Sequence, residues 1–125
     1  MRSLTLRDVE DVYAYAKDPQ VSQYVTWQPH QTLEETHDFI QNYAFKKYTE
    51  NELEPYGIVL KEENQIIGTI GCSWHSRKDN VMTMGYALAH KYWGKGLMTE
   101  AARVLLEYAF ESQGPYLIMA WCISF

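Results

Sequence analysis

The stretch Trp93-Gly-Lys-Gly-Leu-Met-Thr-Glu-Ala101 decides the fold of this chain, because its two glycines separate a strand pattern from a helix pattern. Residues 81–89 alternate as a strand does, and residues 97–112 form a helical pattern that Gly114-Pro115 ends. A glycine turn before a helix offers unpaired backbone N–H groups at the positive end of the helix dipole. The stretch therefore predicts a site for an anion such as a phosphate or pyrophosphate.

Two helices are predicted in the first part of the chain. The capping boxes Thr5-x-x-Asp8 and Thr32-x-x-Glu35 start helices over about residues 6–17 and 33–48. The second helix is expected to place one set of residues on a single face: Leu33, Thr36, Phe39, Ile40, Tyr43, Ala44 and Lys47.

A three-stranded antiparallel meander is predicted next, over residues 56–61, 65–74 and 81–89. The acidic stretch 49–55 before it is expected to be a solvated surface loop. Gly85 lies inside the third strand and indicates either a bulge or the close approach of another group.

The residues after the glycine turn predict a crossover helix and a parallel strand. The helix carries one charged stripe and is otherwise apolar or small, so we expect most of it to be buried. Residues 116–125 are apolar on both faces, as in a central parallel strand. A doubly buried strand needs partners, so we expect the fold to be incomplete after Phe125. The charged stripe consists of Glu100, Arg103, Glu107 and Glu111.

The composition indicates one globular domain without a membrane or nucleic-acid role. The chain has 125 residues, of which 46% are hydrophobic and 22% charged, and its net charge is −5. That charge argues against a general nucleic-acid binder, and no apolar run is long enough to cross a membrane. With no signal peptide in view, we expect a cytoplasmic protein. From residue 80 onward three acids balance three bases, so the glycine turn lies outside the acidic excess.

The cysteines and histidines give no metal-site spacing. Cys72 and Cys122 both fall in predicted strands, so we expect reduced core thiols.

The order of elements and several motifs resemble the GCN5-related N-acetyltransferase (GNAT) superfamily, and most closely the branch that acetylates ribosomal-protein N-termini. The resemblance rests on Gly68-Thr-Ile-Gly71, on Gly85-Tyr86 and above all on the run from Tyr92 to Ala101. Leu4-Thr-Leu-Arg-Asp8 and Asp18-Pro19 also resemble the opening of that branch. The resemblance implies an α/β (α+β) fold: a mixed sheet with an antiparallel meander, a crossover helix and a parallel final strand.

The resemblance also implies a binding site for acetyl-CoA. The backbone of Ala87 and Leu88 would run beside its pantetheine arm, which would enter a splay between the third meander strand and the final strand. In this fold Cys72 and Cys122 would lie about 9–10 Å apart, beyond disulfide reach. The pyrophosphate cradle would comprise Gly94, Lys95, Gly96, Leu97, Met98 and Thr99.

The implied reaction is direct acetyl transfer to a primary amine, either a protein N-terminus or a small amine. Thr83 stands where many relatives have a glutamate base, and the usual thiolate acid would lie beyond the last residue, so no catalytic residue is assigned. Trp27 and Trp74 either line an acceptor groove or pack in the core, and Tyr86 is a candidate neighbour of the thioester.

Two alternatives remain open. The chain could be a non-catalytic CoA-binding remnant, since it keeps the cradle but lacks the proton-handling residues. It could instead be an interaction module, in which strand 116–125 recruits a partner strand or forms a homodimer.

Overall fold

The computed structural model describes residues 1–22 and 29–120, which form a five-stranded sheet with helices on both faces. The spatial order of the strands is their chain order, and only the last pair is parallel. This confirms the predicted mixed architecture of a meander followed by a parallel strand. The strands are β1 (Arg2–Ser3), β2 (Leu53–Leu60), β3 (Gln65–Ser76), β4 (Val81–Leu88) and β5 (Leu117–Ala120).

The first capping box is confirmed. Thr5 accepts a hydrogen bond from the backbone of Arg7, and the Asp8 carboxylate accepts one from the backbone of Thr5. A short 3-10 turn, Leu6–Asp8, then leads into helix α1, Val9–Ala16, close to the predicted bounds. Helix α2 covers Pro19–Ser22. Strand β1 was not predicted, because two exposed residues carry no recognisable pattern.

The second predicted helix is present in three continuous parts. Helix α3 covers Leu33–Asp38, a π-helical segment covers Phe39–Ala44, and helix α4 covers Phe45–Thr49. Thr32 caps α3 as predicted, by accepting a hydrogen bond from the backbone of Glu35.

The single face predicted for this helix is only partly correct. Thr36, Ile40 and Ala44 are buried, whereas Leu33 and Tyr43 are exposed. Tyr43 lies in the π-helical segment, whose wider turn shifts side chains away from the positions that an α-helical period predicts.

The acidic stretch before the meander is not entirely a solvated loop. β2 begins at Leu53, which is buried, and the pairing with β3 shifts between Leu53 and Tyr56. Glu54 and Pro55 therefore form a bulge opposite Gly71. The prediction is wrong here because pairing with a distant strand orders these residues, which the local sequence does not show.

Helix α5 covers Leu97–Gln113, and Gly114 ends it in the left-handed conformation. The expectation that most of this helix is buried is wrong. Only Leu105 and Ala109 are fully buried, because a single face of the helix contacts the sheet. Its other side exposes three large apolar residues as well as the charged stripe: Val104 (51%), Tyr108 (48%) and Phe110 (46%).

β5 runs parallel to β4, as predicted, with residues 117–120 opposite residues 81–84. Within the described residues it is the edge strand rather than a central one, and Tyr116 just before it is 83% exposed. The predicted second half of this strand lies outside the described residues. The homodimer through it stays a prediction.

The two faces of the sheet carry separate core clusters. One packs α5 against Met82, Met84 and Leu88, and the other packs α1 and the 33–49 helix against Ile66 and Ala87. β4 thus alternates between the two cores, as a strand covered on both faces must.

Cys72 is a buried free thiol, as predicted, and burial raises its pKa to about 11. Cys122 lies outside the described residues. Within residues 1–22 and 29–120, no group of three His, Cys, Asp or Glu side chains could hold a metal ion. No helix in the same part of the chain combines the length and apolar character needed to span a membrane.

Candidate functional site

Both glycines of the turn before α5 adopt a backbone conformation that favours glycine. Gly94 has φ +77° and Gly96 has φ +76°, in the left-handed region that other residues adopt at a cost. A Cβ atom at either position would meet no described atom within 4 Å. The glycines are therefore required by conformation, and the space beside them is open.

The turn exposes the amino end of a long helix. Gly96 is the N-cap of α5 and has no side chain to cap it, and its carbonyl accepts the first helical hydrogen bond, from Glu100 N at 3.1 Å. The backbone N–H groups of Leu97, Met98 and Thr99 precede that bond and have no intrahelical acceptor. Together with the dipole of the 17-residue helix, they form a site suited to an anion.

The turn is fixed to the end of β4 by Trp93. Its indole Nε1 donates a hydrogen bond to the carbonyl of Leu88 at 2.8 Å. The His90 ring packs edge-on against the indole, with 4.4 Å between ring centroids. These two contacts hold the turn against β4, and no described side chain comes within 4 Å of a Cβ placed at either glycine.

Two lysines bring positive charge to the turn. Lys95 lies between the glycines and is exposed, with its Nζ 5.8 Å from the centroid of the Tyr92 ring. The Nζ of Lys91 is 5.0 Å from the same centroid. Each ammonium group ends a flexible four-carbon side chain, so it can approach an anion without fixing the anion's position.

The other residues predicted for the cofactor lie around this turn. Ala87 and Leu88 are buried in β4, on opposite faces of the sheet. Leu97 and Met98 are half-buried against the core beside α5, and Thr99 is exposed. The predicted splay beside β4 involves residues after Ala120, so it lies outside the described residues and stays a prediction.

Of the three aromatic candidates for the acceptor site, Trp74 and Tyr86 can be compared, and they lie four positions apart in the β3–β4 register, since Trp74 pairs with Met82 and Tyr86 with Ile70. Trp74 is half-buried and donates from Nε1 to the Gln113 side chain at 3.1 Å, which ties β3 to the end of α5 and favours its packing role. Tyr86 packs against the core on the α5 side of the sheet. Trp27 lies outside the described residues.

Gly85 occupies an open position in the middle of β4. It pairs with Gly71 of β3 in an unbroken register, so the bulge suggested by its sequence position is absent. A Cβ at Gly85 would meet no described atom within 4 Å. The second interpretation, the close approach of another group, stays a prediction, because no described atom approaches this position.

A carboxylate that was not predicted lies beside this open position. Glu54 stands over Gly71, where an added Cβ would lie only 2.2 Å from the Glu54 Cβ. Tyr43 donates its hydroxyl to Glu54 Oε1 at 2.7 Å, and Lys47 Nζ is 3.6 Å from the same oxygen. Burial and this carboxylate raise the pKa of Tyr43, so the hydroxyl keeps its proton. The i, i+4 spacing of Tyr43 and Lys47 was the only sequence signal for this group.

A separate cleft of about 370 Å³ lies between α1 and the segment that precedes the glycine turn. Asp11 and Asp18 line one side of it, and His90 and Lys91 line the other. Two carboxylates would repel a phosphate, so this cleft does not compete with the turn as an anion site.

Comparison with known proteins places these features in a family. A sequence model described as the acetyltransferase (GNAT) domain matches residues 1–123. A curated relative, the uncharacterised N-acetyltransferase p20 of Bacillus licheniformis, is 30% identical over 112 residues. That alignment covers 90% of this chain and 62% of the relative, so the chain spans about three-fifths of the relative's length.

Two solved structures are similar over nearly the whole described fold. A GNAT-family acetyltransferase from Bacillus anthracis superposes with a TM-score of 0.80 at 26% identity, covering 97% of this chain and 68% of the other. The ribosomal-protein-S5-alanine acetyltransferase of Vibrio fischeri gives 0.71 at 25% identity, covering 95% and 67%. With its sheet order, its glycine turn and a family match over residues 1–123, the chain belongs to the acetyltransferase (GNAT) domain family.

Proposed function

We propose that this domain transfers an acetyl group from acetyl-CoA to a primary amine. The observation that carries the proposal is the open turn at Gly94 and Gly96, which leads directly into the amino end of α5. In a chain of the GNAT family, this turn is the expected place for the pyrophosphate of acetyl-CoA. Bound there, acetyl-CoA supplies an acetyl thioester that an amine can attack.

The residues present fit this group. A pyrophosphate needs several N–H donors and close backbone approach, and both are available where Leu97, Met98 and Thr99 follow two glycines without side chains. Lys95 adds an ammonium group from the exposed side. The hydrogen bond from Trp93 to Leu88 keeps the turn next to β4, so a cofactor held at the turn can extend along that strand.

A primary amine is the proposed acceptor, and a protein N-terminus is the favoured form of it. The support is the Vibrio fischeri structure, which is that of a ribosomal-protein-S5-alanine acetyltransferase. The half-buried Thr83 occupies the β4 position of the expected base, and its hydroxyl is not basic enough to deprotonate an ammonium group. No catalytic acid or base is therefore assigned.

The proposal is tested first by binding. Acetyl-CoA at 100 times its dissociation constant should stabilise the folded state by about 2.7 kcal/mol, which thermal unfolding would detect. ATP at the same concentration is the control, because it carries phosphates without the pantetheine arm. If millimolar acetyl-CoA leaves the unfolding temperature unchanged, the assignment of the turn fails.

Transfer is tested separately. Release of the CoA thiol is measured with peptides that begin with a free alanine or serine, and the same peptides with acetylated N-termini serve as controls. Release that requires the free amine supports the proposal. Binding of acetyl-CoA without release for any amine would favour the alternative of a CoA-binding remnant.

A further inference from the structure

The two paired glycines in the middle of the sheet are covered differently. Gly71 of β3 and Gly85 of β4 stand directly opposite each other, so their missing side chains would point to the same face. That face carries α1 and the 33–49 helix, because Ile70 and Cys72 on either side of Gly71 pack into the other core. Glu54 fills the space over Gly71, while no described atom lies within 4 Å over Gly85.

The bulge in β2 brings Glu54 to this place. Two residues, Glu54 and Pro55, stand opposite Gly71 alone, so the chain rises over the sheet. The Cα of Glu54 would lie 2.8 Å from a Cβ at position 71. Only glycine at that position lets the carboxylate lie above the sheet.

The Glu54 carboxylate has one engaged oxygen and one available oxygen. Tyr43 donates to Oε1, which is 3.6 Å from Lys47 Nζ, and Oε2 accepts no hydrogen bond from the described residues. The Glu54 side chain is 20% exposed, so it is partly shielded and still reachable. The Lys47 Nζ is 3.6 Å from Oε1, which is longer than a hydrogen bond, so the ion pair leaves the carboxylate able to accept hydrogen bonds from a second cation.

Tyr43, which donates its hydroxyl to Glu54, is one of a pair of stacked aromatic residues in the 33–49 helix. The rings of Phe39 and Tyr43 stack with 5.5 Å between centroids and an interplanar angle of 16°. Both residues belong to the π-helical segment, a geometry found frequently at functional sites. Aromatic faces attract ammonium groups, and Lys47 Nζ already lies 5.5 Å from the centroid of the Tyr43 ring, so this aromatic pair and the carboxylate favour the same kind of group.

We propose that the open position over Gly85 receives the ammonium group of the acceptor, and that Oε2 of Glu54 binds it. Gly85 lies on the strand next to that of Gly71, the glycine beneath Glu54, and neighbouring strands are about 4.8 Å apart. The proposal rests on the acetyl-transfer function and deepens it, because it names a cationic primary amine as the acceptor class and Glu54 as its binding residue.

The test is an NMR titration with L-alaninamide, with N-acetyl-L-alaninamide as the control that lacks the ammonium group. We expect the Gly85 amide signal to shift and saturate with L-alaninamide alone. Glu54→Gln keeps an oxygen for the Tyr43 hydroxyl and loses the charge, so the affinity should fall about tenfold or more. Glu50→Gln, which removes an exposed acid nearby in the chain, should leave the affinity unchanged.

Gly85→Val provides a second variant that does not depend on Glu54. Its side chain enters open space and suits a strand, so the protein should fold, and the filled position should leave the amide signal of residue 85 unchanged when L-alaninamide is added. Equal affinity in wild type and Glu54→Gln would overturn the proposal, and so would a Gly85 amide that does not respond in the wild type. Because no acetyl-CoA is used, this outcome is independent of whether the cofactor binds.

Discussion

The glycines of β3 and the glycines of the turn before α5 serve opposite purposes. A Cβ at Gly68 would lie 2.4 Å from the carbonyl oxygen of Ala87, and a Cβ at Gly71 would lie 2.2 Å from the Glu54 Cβ. Neither has an unusual backbone conformation. Gly94 and Gly96 have left-handed backbones, and the space around them is empty of described atoms.

Glycine therefore occurs in two settings: where another group already fills the space beside the backbone, and where that space is open. In β3 the absent side chain lets strands and a carboxylate approach, so the space already has an occupant. In the turn the absent side chain exposes backbone donors, so the space is available to a ligand. Substitutions at the two kinds of glycine should therefore separate stability from binding.

The largest expected effect is at Gly96. We expect Gly96→Asp to abolish acetyl-CoA binding, because it places a negative side chain where the pyrophosphate is proposed to bind. The left-handed backbone adds a destabilisation of about 1–2 kcal/mol, which the fold should tolerate. Isothermal titration with acetyl-CoA measures the loss. Gly96→Asn, which is similar in size and neutral, should bind more tightly than the Asp variant, and wild-type affinity in Gly96→Asp would refute the site.

The next effect concerns stability. Gly71→Ala should lower the free energy of unfolding by about 1–3 kcal/mol, because the new methyl group overlaps Glu54. Its matched control is Gly85→Ala, on the opposite strand of the same pair, where the methyl group enters open space. Urea denaturation of both variants checks the contrast. Equal losses at the two positions would show that glycine is needed there for some reason other than space.

The smallest expected effect is at Lys95. Lys95→Ala should weaken acetyl-CoA binding only modestly, because backbone donors make the main contacts and the lysine is exposed. A loss above about 2–3 kcal/mol, more than one hydrogen bond to a charged group contributes, would show that the side chain and not the turn dominates. Lys78 is an exposed lysine in the β3–β4 turn, and Lys78→Ala is titrated with acetyl-CoA in parallel. This control separates a local effect of Lys95 from the general effect of losing one positive charge.

Local pattern predicted the described elements of the meander and the helix after it. The bounds of β4 and α5 agree with the predictions to within one residue, because alternation and helical spacing are properties of neighbouring residues. The direction of β5 also followed, since a crossover helix leads to a parallel strand. The two-residue β1 and the bulge at Glu54 were missed, because both arise from pairing with strands far away in sequence.

The sequence by itself determined the order of the elements and the glycine turn, since capping residues, alternation and paired glycines act over a few residues. The tertiary structure decided which side of α5 the sheet covers. It also decided that Glu54 fills the space over Gly71 and that no described atom fills the space over Gly85. Those outcomes depend on contacts between residues that are distant along the chain, such as Glu54 with Gly71 and Tyr43 with Glu54. The physical reason is that conformation is a local property, whereas the space around a residue is set by whichever segments pack against it.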